Sequence, residues 1–214
     1  MTGPWWHWLA LALGAVILLA YELRVLRIGQ HSPQRVARDA HARMRGEWVR
    51  TLADQPGFEI VAVQTLRNSL MSATITASTA ALCLMGAVSL AGSRLAAGLA
   101  GLEARELSPA QLLELLMMAA LFASFVCSSL SMRYYNHVGY AMSLPAGSPE
   151  RQAATPLAVT YVERAGYLYG WGLRSFMGVA PLVAGIVNPL LLPLASVGLV
   201  WVLWQFDHPA DMPD

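Results

Sequence analysis

The sequence predicts an all-α, polytopic membrane helix bundle, with four transmembrane helices and amphipathic helices on the cytoplasmic side. Three observations carry that prediction. Hydrophobic residues make up 56% of the 214 and charged residues 13%, about half the ~25% with which a soluble domain wets its surface. Four apolar runs suffice for the ~20-residue helix that crosses a ~30 Å hydrocarbon layer. The 14 basic residues are all arginine and are unevenly placed. The composition excludes a disordered chain, and a net charge of +1 gives no overall attraction to nucleic acid.

The first run, about 5–21, carries no side-chain charge before Glu22, and Arg24 and Arg27 follow it. A signal peptide has its charge ahead of the apolar core and a small-residue cleavage site behind. This run has neither and reads as a retained span. The second run, about 69–92, lies between Arg67 and Arg94. The third, about 112–130, ends before Arg133. The fourth, about 175–204, is bounded by Arg174 and Asp207. It would be ~45 Å long if straight. Pro181, Pro189 and Pro193 interrupt it, which predicts one kinked or broken crossing. Short connections make 1–214 a single domain.

Arginine placement sets the orientation. Twelve of the 14 fall in the first and third loops, and only Arg94 and Arg105 in the second. The prediction is a cell (inner) membrane protein with those two loops in the cytoplasm and both termini outside. Cys83 and Cys127 lie within spans, away from an oxidising aqueous compartment, and read as small packing residues.

Ser32-Pro33, Ser108-Pro109 and Thr155-Pro156 each place an N-cap before a proline at the first helical position. Gln111 completes a capping box with Ser108, so the third span begins near Pro109 and can run to Met142. Segment 33–53 is a basic amphipathic candidate: Val36, Ala40, Met44, Trp48 and Leu52 recur every four residues among arginines. It suits the inner membrane surface, with anionic lipid as a partner. A second cytoplasmic helix, about 156–173, carries Gly166 and Gly170 at a spacing that permits close helix contact. Two small-residue stripes, Ser69-Ser72-Ala73-Thr76-Ala80 and Ala120-Ser124-Cys127-Ser128-Ser131, are expected to face each other or a polar interior.

Polar residues gather at the expected cytoplasmic boundary. Gln64, Arg67 and Asn68 open the second span; Arg133, Asn136 and His137 close the third and share one helical face. Arg174 and Glu22 lie at the same depth. Ionisable groups there are costly and mark a candidate site, and arginines with amide and imidazole donors suit a phosphate or carboxylate. The competing reading is arginines snorkelling at helix ends, with an Arg–Glu pair holding the bundle. On the other side, Trp5, Trp6, His7 and Trp8, with Trp204, Asp207 and His208, read as an aromatic belt. They lack metal-ligand spacing. No phosphate loop, dinucleotide fingerprint or hydrolase motif is present, and no metal or cofactor is implied.

Gln64–Thr74 (QTLRNSLMSAT) and Ser131–Val138 (SMRYYNHV) resemble the signatures of a membrane family of bacteria and plants, domain of unknown function 599. The order of elements is also similar over about 15–207, including the basic piece Arg45–Val49. The resemblance implies an integral membrane protein with four spans. It carries over no catalytic residue, and it adds weight to Gln64, Arg67, Asn68, Arg133 and Asn136. Three functions stay open. One is a homo-oligomeric small-solute or ion transporter or channel with an anion-friendly boundary site. Another is a membrane enzyme or binder acting on a lipid headgroup or other anion. The last is an accessory subunit of a membrane complex.

Overall fold

A computed structural model describes residues 5–31, 37–100 and 108–207. Among them the chain is all helix: α1 (Trp5–His31), α2 (Ala37–Ala53), α3 (Glu59–Ala100), α4 (Pro109–Ser143), α5 (Pro149–Met177), α6 (Val179–Val187) and α7 (Leu191–Asp207). Four stretches are long and apolar enough to cross a membrane: Trp5–Ile28, Glu59–Ser93, Pro109–Ser143 and Pro149–Val187. At 1.5 Å per residue α3 is ~63 Å long and α4 ~52 Å, so each outruns a ~30 Å hydrocarbon layer. The chain divides into two compact units, and α3, α4 and α5 each contribute to both.

Unit 1 comprises the chain up to Val36, Ala80–Ala123 and the chain from Arg174 onward. The sequence expects a kinked or broken run over 175–204, and the helix is interrupted at Asn188-Pro189. α6 and α7 pack against each other as a hairpin, closed at Asn188-Pro189. Asn188 is extended (φ −151, ψ 121) and ends α6. Its side-chain oxygen accepts the Leu190 N–H at 3.1 Å, and its carbonyl accepts that of Leu191 at 2.9 Å. Pro189 and Pro193 are therefore not kinks, while Pro181 stands four residues after Met177, where α5 passes into α6 through a helical Gly178 whose N–H still reaches the Arg174 carbonyl at 2.9 Å. Pro193 stands third in α7, where the backbone N–H has no intrahelical partner to lose, and Pro189 forms the turn.

α7 then runs alongside α1 in the same direction. Gly14 of α1 approaches Leu192 and Ser196 of α7 so closely that a Cβ would meet the Leu192 side chain at 2.7 Å. One turn and more further on, Tyr21 and Val25 bury against Leu203. The Trp5 end of α1 and the Asp207 end of α7 therefore lie at opposite ends of unit 1. The capping box of α4 forms as the sequence requires: the Ser108 N–H donates to Gln111 Oε1 at 3.0 Å, and the Gln111 N–H to Ser108 Oγ at 3.3 Å.

Unit 2 comprises Ala37–Thr79 and Ser124–Leu173. Its core joins Val49 and Leu52 of α2, Ala62 and Leu66 of α3, Tyr135, Val138 and Met142 of α4, and Ala158, Val159, Val162 and Ala165 of α5. The buried face of α2 is Gly46, Val49, Leu52 and Ala53, while Met44 is 60% exposed. The four-residue column expected inside cannot stay on one face. Each step overshoots a full turn by about 40°, so the column swings round the helix. Ser32-Pro33, Val36 and His208 lie outside the described residues.

α5 begins earlier than Thr155-Pro156. Ser148 caps it, accepting the Arg151 N–H at 3.2 Å, and Pro156 sits inside the helix. The serine stripe of α4 faces α5 rather than the α3 stripe. Ser124, Ser128 and Ser131 are fully buried, and Ser131 Oγ donates to the Ala165 carbonyl at 2.7 Å. Gly172 lets α5 come this near, since a Cβ there would meet Ser128 Oγ at 2.5 Å and the Ser124 carbonyl at 3.3 Å. On α3, Ser69, Ser72 and Thr76 instead donate to carbonyls four residues back, as helical hydroxyls commonly do.

Gly172→Leu forces this contact open and is expected to cost about 1–3 kcal/mol, read as a lower thermal midpoint in detergent. Gly170→Ala is the control: a Cβ there meets nothing within 4 Å, so stability should not fall.

Candidate functional site

The seven boundary residues fall into three groups. On α3, Gln64, Arg67 and Asn68 are exposed, while Ala62 and Leu66 of the same turns are buried. The helix thus turns Ala62 and Leu66 inward, and the polar trio shares the outside with Ile60, Val61 and Val63. On α4, Arg133 and Asn136 are exposed and Tyr135 and Val138 are buried. His137 is exposed too, but its ring lies 5.9 Å from that of Tyr161 on α5, which also meets Tyr134 at 5.0 Å. Among the described residues, no hydrogen bond or ion pair links the α3 trio to the α4 trio. Each trio presents its donors outward.

Arg174 belongs to a different constellation, within unit 1. Its guanidinium donates to Glu22 Oε1 of α1 at 2.9 Å and to both carboxylate oxygens of Asp207 of α7. Tyr21 O–H donates to Asp207 Oδ2 at 2.5 Å. The side chains of Arg174, Asp207 and Glu22 are 12%, 8% and 29% exposed. Two carboxylates on one guanidinium use the fork geometry that lysine lacks. This is the bundle-holding Arg–Glu pair that the sequence allowed as an alternative, enlarged by Asp207 and Tyr21. Asp207 had been assigned to the far end of the fourth crossing. The hairpin returns it to Arg174.

The sequence did not single out Arg151. It is 1% exposed, donates to the Leu144 carbonyl at 2.8 Å and the Leu52 carbonyl at 2.6 Å, and lies 3.7 Å from Glu59. Leu52 is in the last turn of α2, and Leu144 follows the last residue of α4. One guanidinium therefore caps two helix C-termini, whose end carbonyls lack intrahelical partners and attract a cation. The available signal was Ser148-Pro149, a helix start that places Arg151 in the first turn.

The division among arginines is chemical. Arg151 and Arg174 are committed inside. Arg43, Arg50, Arg67, Arg133 and Arg164 are exposed, and among the described residues none forms an ion pair. On unit 2, a groove of about 380 Å³ opens between α2, α4 and α5, with Tyr134, Arg164 and Tyr167 in its wall. In unit 1, a cavity of about 230 Å³ is lined by His7, Ser108, Leu113 and Pro189. Among the described residues no three His, Cys, Asp or Glu side chains are placed to hold a metal ion.

No curated protein and no solved structure matches the chain. The family described as "Protein of unknown function, DUF599" matches residues 9–212. That match starts within α1 and runs past α7, so it takes in the elements of both units, and the chain belongs to this family.

Proposed function

We propose that the chain is a multi-pass protein of the cell membrane that holds anionic lipid headgroups at the cytoplasmic boundary. The observation that supports this reading is the partition of the arginines. The buried Arg151 and Arg174 are held by carboxylates or backbone carbonyls, while Arg67 and Arg133 stand exposed beside Gln64, Asn68 and Asn136, without an ion-pair partner among the described residues. Exposed guanidiniums with amide neighbours suit phosphate oxygens, and an arginine near an anionic leaflet gains ~1 kcal/mol. In this orientation the arginine-rich loops face the cytoplasm, α1 enters from outside at Trp5, and α7 ends inside at Asp207.

Replacing both Arg67 and Arg133 with Gln should remove about 2 kcal/mol, roughly a thirtyfold loss of affinity. The check is lipid mass spectrometry of the detergent-purified protein. Phosphatidylglycerol and cardiolipin should fall relative to phosphatidylethanolamine, and an unchanged lipid complement would overturn the reading.

A second reading, a homo-oligomer that moves small solutes, draws on α3. Asn68, Ser72, Thr79, Cys83 and Gly86 form an exposed stripe of the small and polar kind that brings membrane helices together. Detergent-solubilised mass and liposome flux test it. A monomer without flux for ions or small anions would sink it.

A further inference from the structure

The groove on unit 2 has a composition that the boundary arginines do not explain. Its wall is Ala42 of α2, Tyr134 of α4, and Glu163, Arg164, Tyr167 and Leu168 of α5, and its volume of about 380 Å³ falls within the ~300–1,000 Å³ of ligand pockets. Two close approaches shape it. Gly46 of α2 lies under the Glu163 carboxylate, where a Cβ would meet Oε1 at 2.2 Å, and Gly166 of α5 lies under the Arg45 guanidinium at 2.3 Å. These contacts draw Glu163 and Arg45 into the α2–α5 seam. The remaining wall is aromatic and aliphatic carbon. Tyr134 is braced by Tyr161, and Tyr161 by His137. At the rim stands Arg164, exposed and without an ion-pair partner among the described residues.

A mostly apolar slot, its Glu163 carboxylate turned toward Gly46 and the exposed Arg164 at its mouth, is complementary to a molecule with an apolar tail and an anionic head. Its place along the chain suits such a molecule. Tyr134 follows the apolar run of α4 by a few residues, and tyrosines and arginines of this kind collect at headgroup level. We propose that the groove holds one acyl chain of an anionic phospholipid, with the phosphate on Arg164. The proposal rests on the anionic-lipid reading above and narrows it to one ordered lipid site.

The probe is phosphatidylglycerol bearing a diazirine on its acyl chain. The full chain is reconstituted with this probe in phosphatidylcholine nanodiscs, irradiated and digested, and the adducts are mapped by mass spectrometry. Adducts are expected on the peptides carrying Tyr134 and Tyr167–Leu168. Arg164→Gln should lower them at least fivefold, and Ala42→Leu, which fills the slot, should lower them while leaving total phosphatidylglycerol retention intact. A phosphatidylcholine probe that labels the groove equally, or labelling indifferent to both substitutions, overturns the groove as an anionic-lipid site. If retention still depends on Arg67 and Arg133, the wider reading stands without it. If phosphatidylglycerol is not preferred at all, both fall.

Discussion

Arg174→Leu will lower the stability of the solubilised protein by about 3–5 kcal/mol, the cost of breaking a buried ion pair by removing one partner. The substitution strands two carboxylates. Glu22 and Asp207 are held to the same guanidinium, and Glu22 Oε2 is buried without a hydrogen bond of its own. Removing the cation leaves both charges in a poorly solvated place, and their helices, α1 and α7, are neighbours. Thermal unfolding in detergent reads the loss. Arg174→Leu combined with Asp207→Leu should be less unstable than the sum of the single changes, by about 0.5–3 kcal/mol for directly contacting groups. Strict additivity would mean that Arg174 and Asp207 do not act together.

Arg151→Leu is the second large effect, and it acts in unit 2. It takes the guanidinium from the partly buried Leu144 carbonyl and from the Leu52 carbonyl, which keeps only the Gln55 N–H at 3.3 Å, at roughly 1–3 kcal/mol in all. Arg151→Lys keeps the charge but cannot fork to both carbonyls, so it should recover only part of the loss. The readout is local as well as global. The turn at 144–148 leads from α4 into α5 through Gly147, whose φ of +76 suits glycine alone among common residues. Limited proteolysis should find that turn newly cleavable in Arg151→Leu, and a turn as protected as in the parent would refute the capping role.

The sequence was most legible where local chemistry decides. Composition and run length announced the membrane-apt helices. Ser108, Pro109 and Gln111 marked the start of α4 because capping is a matter of a few adjacent residues. It was least legible where distant segments decide. Pro189 and Pro193 read like interruptions of one helix because a proline at a turn or a helix start and one at a kink look alike locally. The excess length of 175–204 was the available clue, and a hairpin accounts for it as well as a bend does. Burial of Arg151 depends on two carbonyls, one of which is 99 residues away, so it left no local mark. The boundary residues were found as a group because they are polar beside apolar runs. Which of them face outward and which, like Arg174, are consumed by the fold depends on partners across the bundle.

The pairing of α1 with α7 also bears on how the chain is made. Tyr21 and Asp207 are separated by 186 residues, which a ribosome adds in roughly 10–40 s at ~5–20 residues per second. During that interval the first helix is already synthesised while its binding surface does not yet exist. Unit 2, which needs nothing beyond Leu173, can be complete first. A chain halted before its last helix would present Glu22 and Arg174 without Asp207. It would thus differ from the finished molecule by a guanidinium short of one carboxylate, a feature by which cellular quality control could tell the two apart.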